Sequence, residues 1–310
     1  MPFLLFPMML SAPIDVPLVR QLFSRPDKIA ASDFLRREIA GRMREKLALV
    51  KIAPQRVLDA GCGAGSDLVE LQKIYPEAQL LGADASYPLL QLARQRRHCA
   101  LGAVGRLLSR WTALRNEPEQ GLLCGDFARL PLAANSVDLI WSNLALHWHP
   151  QPDLVFAEWR RALRTEGLLM FSCFGPDTLL ELRQAYAAAG QSQPTLAFVD
   201  MHDFGDMLVN AGFSTPVMDM EKITLTYDDS ARLLADVRAL GGNPLLTRQR
   251  GLRGRRAHQA LLQALESRRN PEGKITLTLE VVYGHAFRPV ARKTAAGEAI
   301  IRFDLPKKGV

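Results

Sequence analysis

The chain is poor in cysteine and contains no long apolar run. Its 310 residues include four widely spaced cysteines, none in a C-x-x-C pair: Cys62, Cys99, Cys124 and Cys173. This spacing argues against a zinc site or a disulfide framework and fits a reducing cytoplasm. No stretch approaches the roughly 20 apolar residues of a membrane-spanning helix, and the opening MPFLLFPMML lacks the basic segment that begins a signal peptide. We therefore expect a cytoplasmic protein with no resident metal and no membrane contact.

Acidic residues are outnumbered by basic ones. The chain has 39 lysines and arginines against 32 aspartates and glutamates, a formal net charge of +7 at pH 7. This excess favours acidic partners, although it carries no information about the fold. Many arginines fall into two clusters, Arg94, Arg96, Arg97, Arg106, Arg110 and Arg115 in the first and Arg248, Arg250, Arg253, Arg255 and Arg256 in the second. Such clusters are often only solvated surfaces, so they acquire a function only beside an acidic partner.

Short apolar runs alternate with amphipathic segments through the first 190 residues. The runs predict strands over 56–60, 79–86, 121–126, 136–143 and 168–174, and the segments predict helices over 66–75, 88–97, 152–167 and 178–189. An amphipathic helix within 27–50 precedes them, with six apolar residues on one face: Ile29, Phe34, Leu35, Ile39, Met43 and Leu47. Strands alternating with helices are typical of crossover units and predict a doubly wound α/β domain with a parallel sheet.

The pattern changes in the last third of the chain. A helix over 202–213 leads into 214–227, which is a strand or a bent strand pair, and the final strand is predicted over 274–287. Between them, 229–267 is helical and rich in arginine, with a Gly-Gly-Asn-Pro break at 241–244, and we expect it to lie over one edge of the sheet. We divide the chain into a tail and capping helix (1–50), a nucleotide-binding core (51–228), a helical lid (229–272) and a closing strand with a tail (273–310).

The stretch VLDAGCGAGSD, at 57–67, places a glycine-rich turn after the first strand. Gly61, Gly63 and Gly65 allow positive φ and leave the backbone free of side-chain cover. In the dinucleotide fingerprint G-x-G-x-x-G the third glycine comes one residue later, and a phosphate-binding P-loop needs a Gly-Lys-Ser/Thr that does not follow here. Both absences disfavour a ligand held by its phosphates.

Two acids near this loop narrow the ligand further. Asp59, just before the loop, would repel a pyrophosphate but suits the ammonium of an amino acid. Asp84, at the end of the second strand, is placed to accept hydrogen bonds from ribose hydroxyls. A ligand with an ammonium and a nucleoside but no phosphate is S-adenosylmethionine.

These motifs resemble those of the class I S-adenosylmethionine-dependent methyltransferases. DAGCGAG and LLGADAS resemble the family's first two motifs, and CGDFARLPLAANSVDLIWSNLALHW resembles the later ones. The resemblance implies a Rossmann-like fold whose mostly parallel, seven-stranded sheet carries helices on both faces and a helical lid insertion. It also implies that Ala85 joins Asp84 in the cofactor site. Asp126 and Phe127 would flank the adenine, and Asn143 and Leu144 would line the methionine end.

A closer resemblance is to the malonyl-[acyl-carrier protein] O-methyltransferases of biotin synthesis. It rests on the stretch from WSNLALHW to ELRQA, on DDSARLLADVRALGGNPL and on TLEVVYGHAF. It implies an acceptor carboxylate held by Arg238, with Arg183 as a second candidate. His147 and Trp148 would shape the acceptor pocket, and the second arginine cluster would dock an acidic acyl carrier protein.

The chemistry expected of such an acceptor is undemanding. A carboxylate is already ionised at pH 7, so methyl transfer to it needs positioning and no general base. The sequence accordingly offers no convincing nucleophile or His–Asp dyad, and we assign no catalytic residue.

Three alternatives remain open at this stage. SRPDKIAASDFLRRE, FGPDTLLELR and HDFGDMLVNAGF resemble the mitochondrial complex I assembly factor that hydroxylates a protein arginine, and the interval 98–120 has no counterpart in the acyl-carrier family. A methyltransferase acting on another small molecule, such as a quinone precursor, is the second alternative. A nucleic-acid methyltransferase is the third, but no Asn-Pro-Pro-Tyr-like motif appears, so we expect no nucleic-acid partner.

Overall fold

The computed structural model describes residues 13–100, 121–192, 195–248, 251 and 254–290. Most of the interval 98–120 therefore lies outside the described residues. So do five arginines of the two clusters: Arg106, Arg110, Arg115, Arg250 and Arg253.

Seven strands in the described residues form one sheet in the order β3-β2-β1-β4-β5-β7-β6. Their bounds are β1 Arg56–Ala60, β2 Gln79–Asp84, β3 Leu122–Cys124, β4 Val137–Asn143, β5 Leu163–Phe174, β6 Ser214–Tyr227 and β7 Ile275–Phe287. The pairs among β1 to β5 are parallel, and β7 runs antiparallel to both β5 and β6. The predicted seven-stranded, mostly parallel sheet is confirmed, and 214–227 is a single strand with one irregularity near its start.

Helices cover both faces of the sheet. Their bounds are α1 Val16–Phe23, α2 Pro26–Ile29, α3 Asp33–Ala48, α4 Ser66–Ile74, α5 Tyr87–Ala100, α6 Pro152–Ala162, α7 Leu180–Ala188, α8 Met201–Asn210, α9 Ser230–Ala239 and α10 Arg255–Glu266. Side chains of β4 alternate between two buried clusters: Trp141 packs with apolar residues of α3, α4 and α7, whereas Ile140 packs with those of α6 and α8. This alternation is the period of two expected of a strand that is buried on both faces.

The helix predicted over 152–167 is too long. α6 ends at Ala162, and Leu163 is already extended, with φ −62° and ψ 143°. Leu163 lies opposite Val137 as the first residue of β5. Sheet pairing outweighs the helical propensity of 163–166 here, because local propensity is weak compared with tertiary packing.

The helix predicted within 27–50 is broken near its start. A 3-10 turn, Ala30–Ser32, separates α2 from α3. Phe34 is 45% exposed and does not share the buried face with Leu35, Ile39 and Met43. Phe34 follows the turn and belongs to α3, where it lies roughly 100° around the helix axis from Leu35, so it falls outside the narrow stripe that Leu35, Ile39 and Met43 bury.

The N-terminal segment and the lid are attached to each other. Ile14, which we expected to belong to a free tail, forms an antiparallel bridge with Leu245, and both side chains are buried. α9 packs against α2 and the 3-10 turn, and α10 packs against α7. Apolar residues of α9 and α10 belong to the same buried cluster as α3. In the described part of the chain, no helix is long and apolar enough to cross a membrane.

Candidate active site

A cavity of about 180 Å³ lies at the carboxyl ends of β1, β2 and β4. Strand order reverses between β1 and β4, and open α/β sheets bind ligands at such a switch point. Eight of the ten predicted cofactor residues line this cavity: Asp59, Gly61, Gly63, Asp84, Ala85, Phe127, Asn143 and Leu144. Trp148, predicted for the acceptor pocket, lines it as well, and α1, α2 and α3 supply the opposite wall. We call it the cofactor cavity.

The glycine loop closes one side of the cofactor cavity. Gly61, Gly63 and Gly65 all have positive φ, at 84°, 51° and 75°. A Cβ on Gly61 would lie 2.3 Å from the Ala145 Cβ, and one on Gly65 would lie 2.7 Å from the Ala93 Cβ, whereas one on Gly63 would meet nothing within 4 Å. Gly61 and Gly65 are therefore required by packing, and Gly63 leaves open space at the cavity wall. Gly65 is the N-cap of α4 and does not line the cavity, and this helix has no side-chain cap hydrogen bond within the described residues.

The amides of this loop are engaged within the protein. The N–H groups of Gly61 and Cys62 donate to the Ala83 carbonyl at 2.7 and 3.0 Å. The Gly63 N–H donates to the Asp84 carboxylate at 2.9 Å. Amides used in this way are not available to cradle a phosphate, which explains in structural terms why the loop departs from the phosphate-binding motifs.

Two carboxylates face the cofactor cavity from the ends of β1 and β2. Asp59 is 1% exposed, and its Oδ2 has no hydrogen-bond partner among the described residues. Burial, reinforced by the nearby Asp67 and Asp84 carboxylates, raises the pKa of Asp59 well above its usual range. Burial also raises the pKa of Asp84, opposed by hydrogen bonds from the Ser86 and Gly63 amides. A cation with N–H donors would satisfy the unpaired Asp59 oxygen.

Asn143 organises a buried polar network that includes a carboxylate missed by the sequence analysis. The Asn143 amide donates to Asp67 and to the Arg36 carbonyl, both at 3.0 Å, and its oxygen accepts from the Ser172 hydroxyl at 2.9 Å. The Trp141 indole also donates to Asp67, at 2.9 Å. Burial raises the pKa of Asp67 against these hydrogen bonds. The network fixes α3, α4 and β4 together at the floor of the cavity.

Arg36 is the second residue that sequence reasoning missed. It lines the cofactor cavity from α3, donates to the Ser32 hydroxyl at 2.5 Å and lies 3.6 Å from the Asp33 carboxylate. Burial lowers the pKa of Arg36, an effect that Asp33 opposes. Its spacing from Ile39 and Met43 on the amphipathic helix was the available signal, because a cation beside that face is directed towards the core.

Of the two residues predicted to flank the adenine, only one lines the cofactor cavity. Phe127 lines the cofactor cavity, and its ring lies 5.9 Å from the ring of Trp159. Asp126 does not line the cavity; its carboxylate accepts from the Ala128 amide at 2.9 Å and lies 3.9 Å from His149. Leu144 adopts φ 51°, a left-handed conformation that costs energy for a leucine and that recurs at ligand sites.

A second cavity of about 410 Å³ adjoins the first. Trp148 lines both cavities. The second is otherwise lined by apolar residues, many of them from α7 and the lid, and by polar ones that include Thr178, Asn243 and His258. Arg238 also lines it and is exposed at the end of α9. Arg238 forms no ion pair within the described part of the chain. Thr195 also lines this cavity, and its buried hydroxyl has no partner among the described residues. We call this space the acceptor cavity.

His147 packs against the aromatic residues that line the acceptor cavity but lines neither of the two cavities itself. Its ring is 4.9 Å from those of Trp148 and Phe174 and 5.8 Å from that of Phe198. Both ring nitrogens are buried without a partner in the described residues. Burial, together with the positive charge of Arg36, lowers the pKa of His147 to about 3, so its ring is neutral at physiological pH.

Arg183 is directed elsewhere. Its guanidinium donates to the Thr178 carbonyl at 2.8 Å and the Pro176 carbonyl at 2.6 Å, and it lines neither of the two cavities. These contacts fix the loop between β5 and α7.

Comparison with known proteins is consistent with this geometry. Residues 58–171 match the model of a methyltransferase domain family. The chain is 45% identical over 291 residues to the malonyl-[acyl-carrier protein] O-methyltransferase of Gallionella capsiferriformans, covering 93% of this chain and 96% of that protein. It is 46% identical over 273 residues to the protein of the same name from Laribacter hongkongensis, covering 87% and 89% of the two chains.

The fold is also found among solved structures. The YcgJ protein from Bacillus subtilis superposes with a TM-score of 0.52 at 14% identity, covering 80% of this chain and 98% of that one. At such an identity the match speaks to the fold alone.

Proposed function

The chain belongs to the malonyl-[acyl-carrier protein] O-methyltransferase family, and we propose that it transfers a methyl group from S-adenosylmethionine to the free carboxylate of a malonyl thioester. The observation that carries the proposal is a pair of adjoining cavities, one suited to a positively charged group and the other to a negatively charged group. One holds the Asp59 carboxylate, whose Oδ2 has no partner among the described residues. The other is lined by the Arg238 guanidinium, which forms no ion pair within those residues, and both cavities share Trp148.

The residues of the cofactor cavity fit S-adenosylmethionine. The orphaned Asp59 oxygen suits its ammonium, Asp84 its ribose hydroxyls, and Phe127 its adenine. Arg36 complements its carboxylate, a contact that would also relieve the unfavourable burial of the guanidinium. The bound cofactor supplies an electrophilic methyl group on a positively charged sulfur.

The residues of the acceptor cavity position the nucleophile. A malonyl carboxylate is ionised at pH 7, so one of its oxygens attacks while no proton moves. An O–C bond forms as the S–C bond breaks, and the positive charge on sulfur disappears. Arg238 would pair with the carboxylate and orient it, and the aromatic wall at Trp148, against which His147 packs, would exclude water.

We propose that the acyl carrier protein docks at the start of α10. Arg255 and Arg256 are exposed there, in the first turn of a helix that contains no acidic residue in that turn. Positive charge is unfavourable at a helix N-terminus, and an acidic partner would reverse that penalty. Arg248 forms an ion pair with Asp15 at 3.2 Å instead.

All four cysteines are free, which supports a cytoplasmic location.

A methyl-transfer assay with labelled S-adenosylmethionine tests the proposal. Malonyl carrier protein is the acceptor, and acetyl carrier protein and unloaded carrier protein are the controls, because neither offers a free acyl carboxylate. We expect label only in the malonyl sample, released by mild base as a methyl ester would be. Cofactor binding without transfer to any malonyl thioester would refute the proposal and favour a binding or hydroxylating protein.

Arg238→Ala tests the acceptor assignment. We expect a higher KM for the malonyl substrate with cofactor affinity retained, and Arg232→Ala on the same helix is the matched control. Arg232 pairs with Asp236 and is 69% exposed, so its loss should leave both constants unchanged. Equal weakening of cofactor and acceptor by Arg238→Ala would indicate a structural role.

A further inference from the structure

Ser32 joins the N-terminal segment, which lines the cofactor cavity, to α9, which lines the acceptor cavity, and it lines neither cavity itself. It is 1% exposed and ends the 3-10 turn before α3. Its hydroxyl oxygen accepts a hydrogen bond from Arg36 at 2.5 Å. The same hydroxyl is within 2.8 Å of two carbonyl oxygens, those of Ile29 and Ala239.

The Ser32 hydroxyl cannot donate to both carbonyls at once, because it carries a single proton. If the proton points to Ile29, the hydrogen bond closes the 3-10 turn on itself. If it points to Ala239, the hydrogen bond joins the turn to α9 across 207 positions of sequence. Ser32 therefore has two discrete arrangements, and only one of them fixes the lid.

The Ala239 carbonyl is one of the last carbonyls of α9, which have no partner inside the helix. Its neighbours Asp236, Val237 and Arg238 are satisfied by the amides of Leu240 and Gly241. Ser32 thus caps the C-terminal end of α9, one residue after Arg238. Holding this end of the helix places Arg238 at the wall of the acceptor cavity.

The Arg36 end of this chain of contacts faces the cofactor cavity. Arg36 also lies 3.4 Å from the Ile29 carbonyl, which is the competing acceptor of the Ser32 proton. When an anionic ligand fixes the Arg36 guanidinium, Arg36 remains a hydrogen-bond donor to the Ile29 carbonyl and also polarises the Ser32 hydroxyl. Hydrogen bonds that form a chain strengthen one another. Because the Ile29 carbonyl already has a donor, the polarised Ser32 proton is directed to the Ala239 carbonyl.

Further contacts tie the N-terminal segment and the lid to Trp148, which follows β4, and to each other. The Phe23 ring lies edge-on to Trp148 at 5.2 Å, and a Cβ on Gly241 would lie 2.6 Å from the Trp148 ring and 3.1 Å from the Phe23 ring. Asp15 also pairs with Arg248. The N-terminal segment and the lid therefore pack together, the first lining the cofactor cavity and the second the acceptor cavity.

We propose that Ser32 is a positioning residue that couples the two binding events: cofactor contact with Arg36 turns the Ser32 hydroxyl to Ala239 and so presents Arg238 to the acceptor. The inference rests on the proposed roles of Arg36 and Arg238. It goes beyond them because it predicts cooperativity between ligands of two cavities whose proposed ion-pairing residues, Arg36 and Arg238, are different.

The first test needs no acceptor and so stands apart from the proposed function. Hydrogen exchange is measured at the amides of Leu240 and Gly241 in the full chain, with and without S-adenosylhomocysteine. We expect the ligand to slow exchange there in the wild type and to leave it unchanged in Ser32→Ala. Ser142→Ala is the matched control, because Ser142 is equally buried and donates to a backbone carbonyl, that of Ala60, at 2.7 Å. Ligand-induced protection that persists in Ser32→Ala would overturn the proposal.

The second test measures coupling directly. We expect the affinity for S-adenosylhomocysteine to rise at least about fivefold with a saturating malonyl carrier protein in the wild type, and to change less than about twofold in Ser32→Ala. Ser32→Cys preserves the buried volume but donates weakly, so it should behave as Ser32→Ala even if the alanine variant folds poorly. Coupling retained in either folded variant would refute the proposal. A protein that binds the cofactor but uses no malonyl acceptor would fail only this second test.

Discussion

Asp59 places a carboxylate oxygen that has no partner in the described part of the chain in a buried site beside two other carboxylates, Asp67 and Asp84. The ionised form is therefore penalised in the free protein, and its pKa is raised. An acid whose folded pKa is raised costs stability once the pH exceeds the unfolded value near ~3.9. The site is thus strained in the absence of a cation, a trade-off common at binding sites.

Cofactor affinity should consequently depend on pH through Asp59. The cofactor ammonium selects the ionised carboxylate, so binding releases a proton wherever Asp59 is protonated in the free protein. Affinity should then fall about tenfold per pH unit below the raised pKa and level off above it. Calorimetry in buffers of different ionisation enthalpy, at several pH values, measures both the affinity and the proton release.

Asp59→Asn provides the control for this prediction. The variant should lose cofactor binding, and its melting temperature without ligand should rise by a few degrees, about 2–4 °C, at neutral pH. The gain should shrink as the pH falls through the raised pKa, since Asp59 is then neutral in the wild type as well. A variant that is less stable at neutral pH would show that the ionised carboxylate is not penalised in the fold.

Among the single residues of the cofactor cavity, the acidic side chains are easier to predict from the sequence than the basic one. Asp59 and Asp84 are recognisable because each ends a strand beside a glycine turn. Arg36 is not, because an arginine on an amphipathic helix is usually solvated and the pattern does not show which helix covers the site. Ser32 is hidden for a different reason: its partner Ala239 is 207 positions away.

The glycine loop is the element on which the cofactor assignment depends. Gly61→Ala and Gly63→Ala form a matched pair, because both residues have positive φ but only Gly61 is packed against another atom. We expect Gly61→Ala to cost about 3 kcal/mol from overpacking and backbone strain, and Gly63→Ala about 1 kcal/mol from strain alone. Denaturant unfolding of both variants measures the difference, and equal losses would contradict the close approach of Gly61 to Ala145.

The N-terminal segment is the element that the sequence predicts least well. Pattern reasoning assigned 1–50 to a tail and a capping helix, whereas Ile14 pairs with Leu245 of the lid. The signal is absent because a one-pair bridge has no periodicity, and the cluster that buries the two side chains includes Leu196, which is distant from both in sequence. The core strands, in contrast, carry their own apolar runs and were predicted closely, except that β5 begins at Leu163 and not at the predicted residue 168.

Ile14→Cys combined with Leu245→Cys should form a disulfide that locks the N-terminal segment to the lid. The Asp15 amide donates to the Pro244 carbonyl and the Leu246 amide to the Pro13 carbonyl, which makes Ile14 and Leu245 a non-hydrogen-bonded pair with close side chains. With the exposed Cys99 and Cys124 replaced by serine, oxidation should slow the release of S-adenosylhomocysteine at least about tenfold, and reduction should restore it. The Leu245→Cys single variant is the control, and unchanged release in the oxidised double variant would show that the segment need not open.

At the scale of the whole molecule, the distribution of charge gives information about the acceptor that the fold does not give. Class I folds support many reactions, so the sheet alone could not have identified the acceptor. The sequence motifs that say most about the acceptor are those of the lid around Arg238, since the lid contributes half of the residues that line the acceptor cavity. The net charge of +7 becomes informative only once Arg255 and Arg256 are seen to be exposed beside that cavity.

Docking of the carrier protein should therefore be electrostatic and separable from chemistry. Arg255→Glu with Arg256→Glu should raise the KM for malonyl carrier protein about fivefold or more at low salt, an effect that shrinks as salt screens the surface. Arg129→Glu with Lys73→Glu makes the same change in net charge at exposed positions elsewhere and should not raise it. Malonyl-pantetheine, which reaches the acceptor cavity without a carrier, should be methylated equally by both double variants. If the α10 variant also loses this small acceptor, the arginines act on the cavity itself and not on the carrier protein.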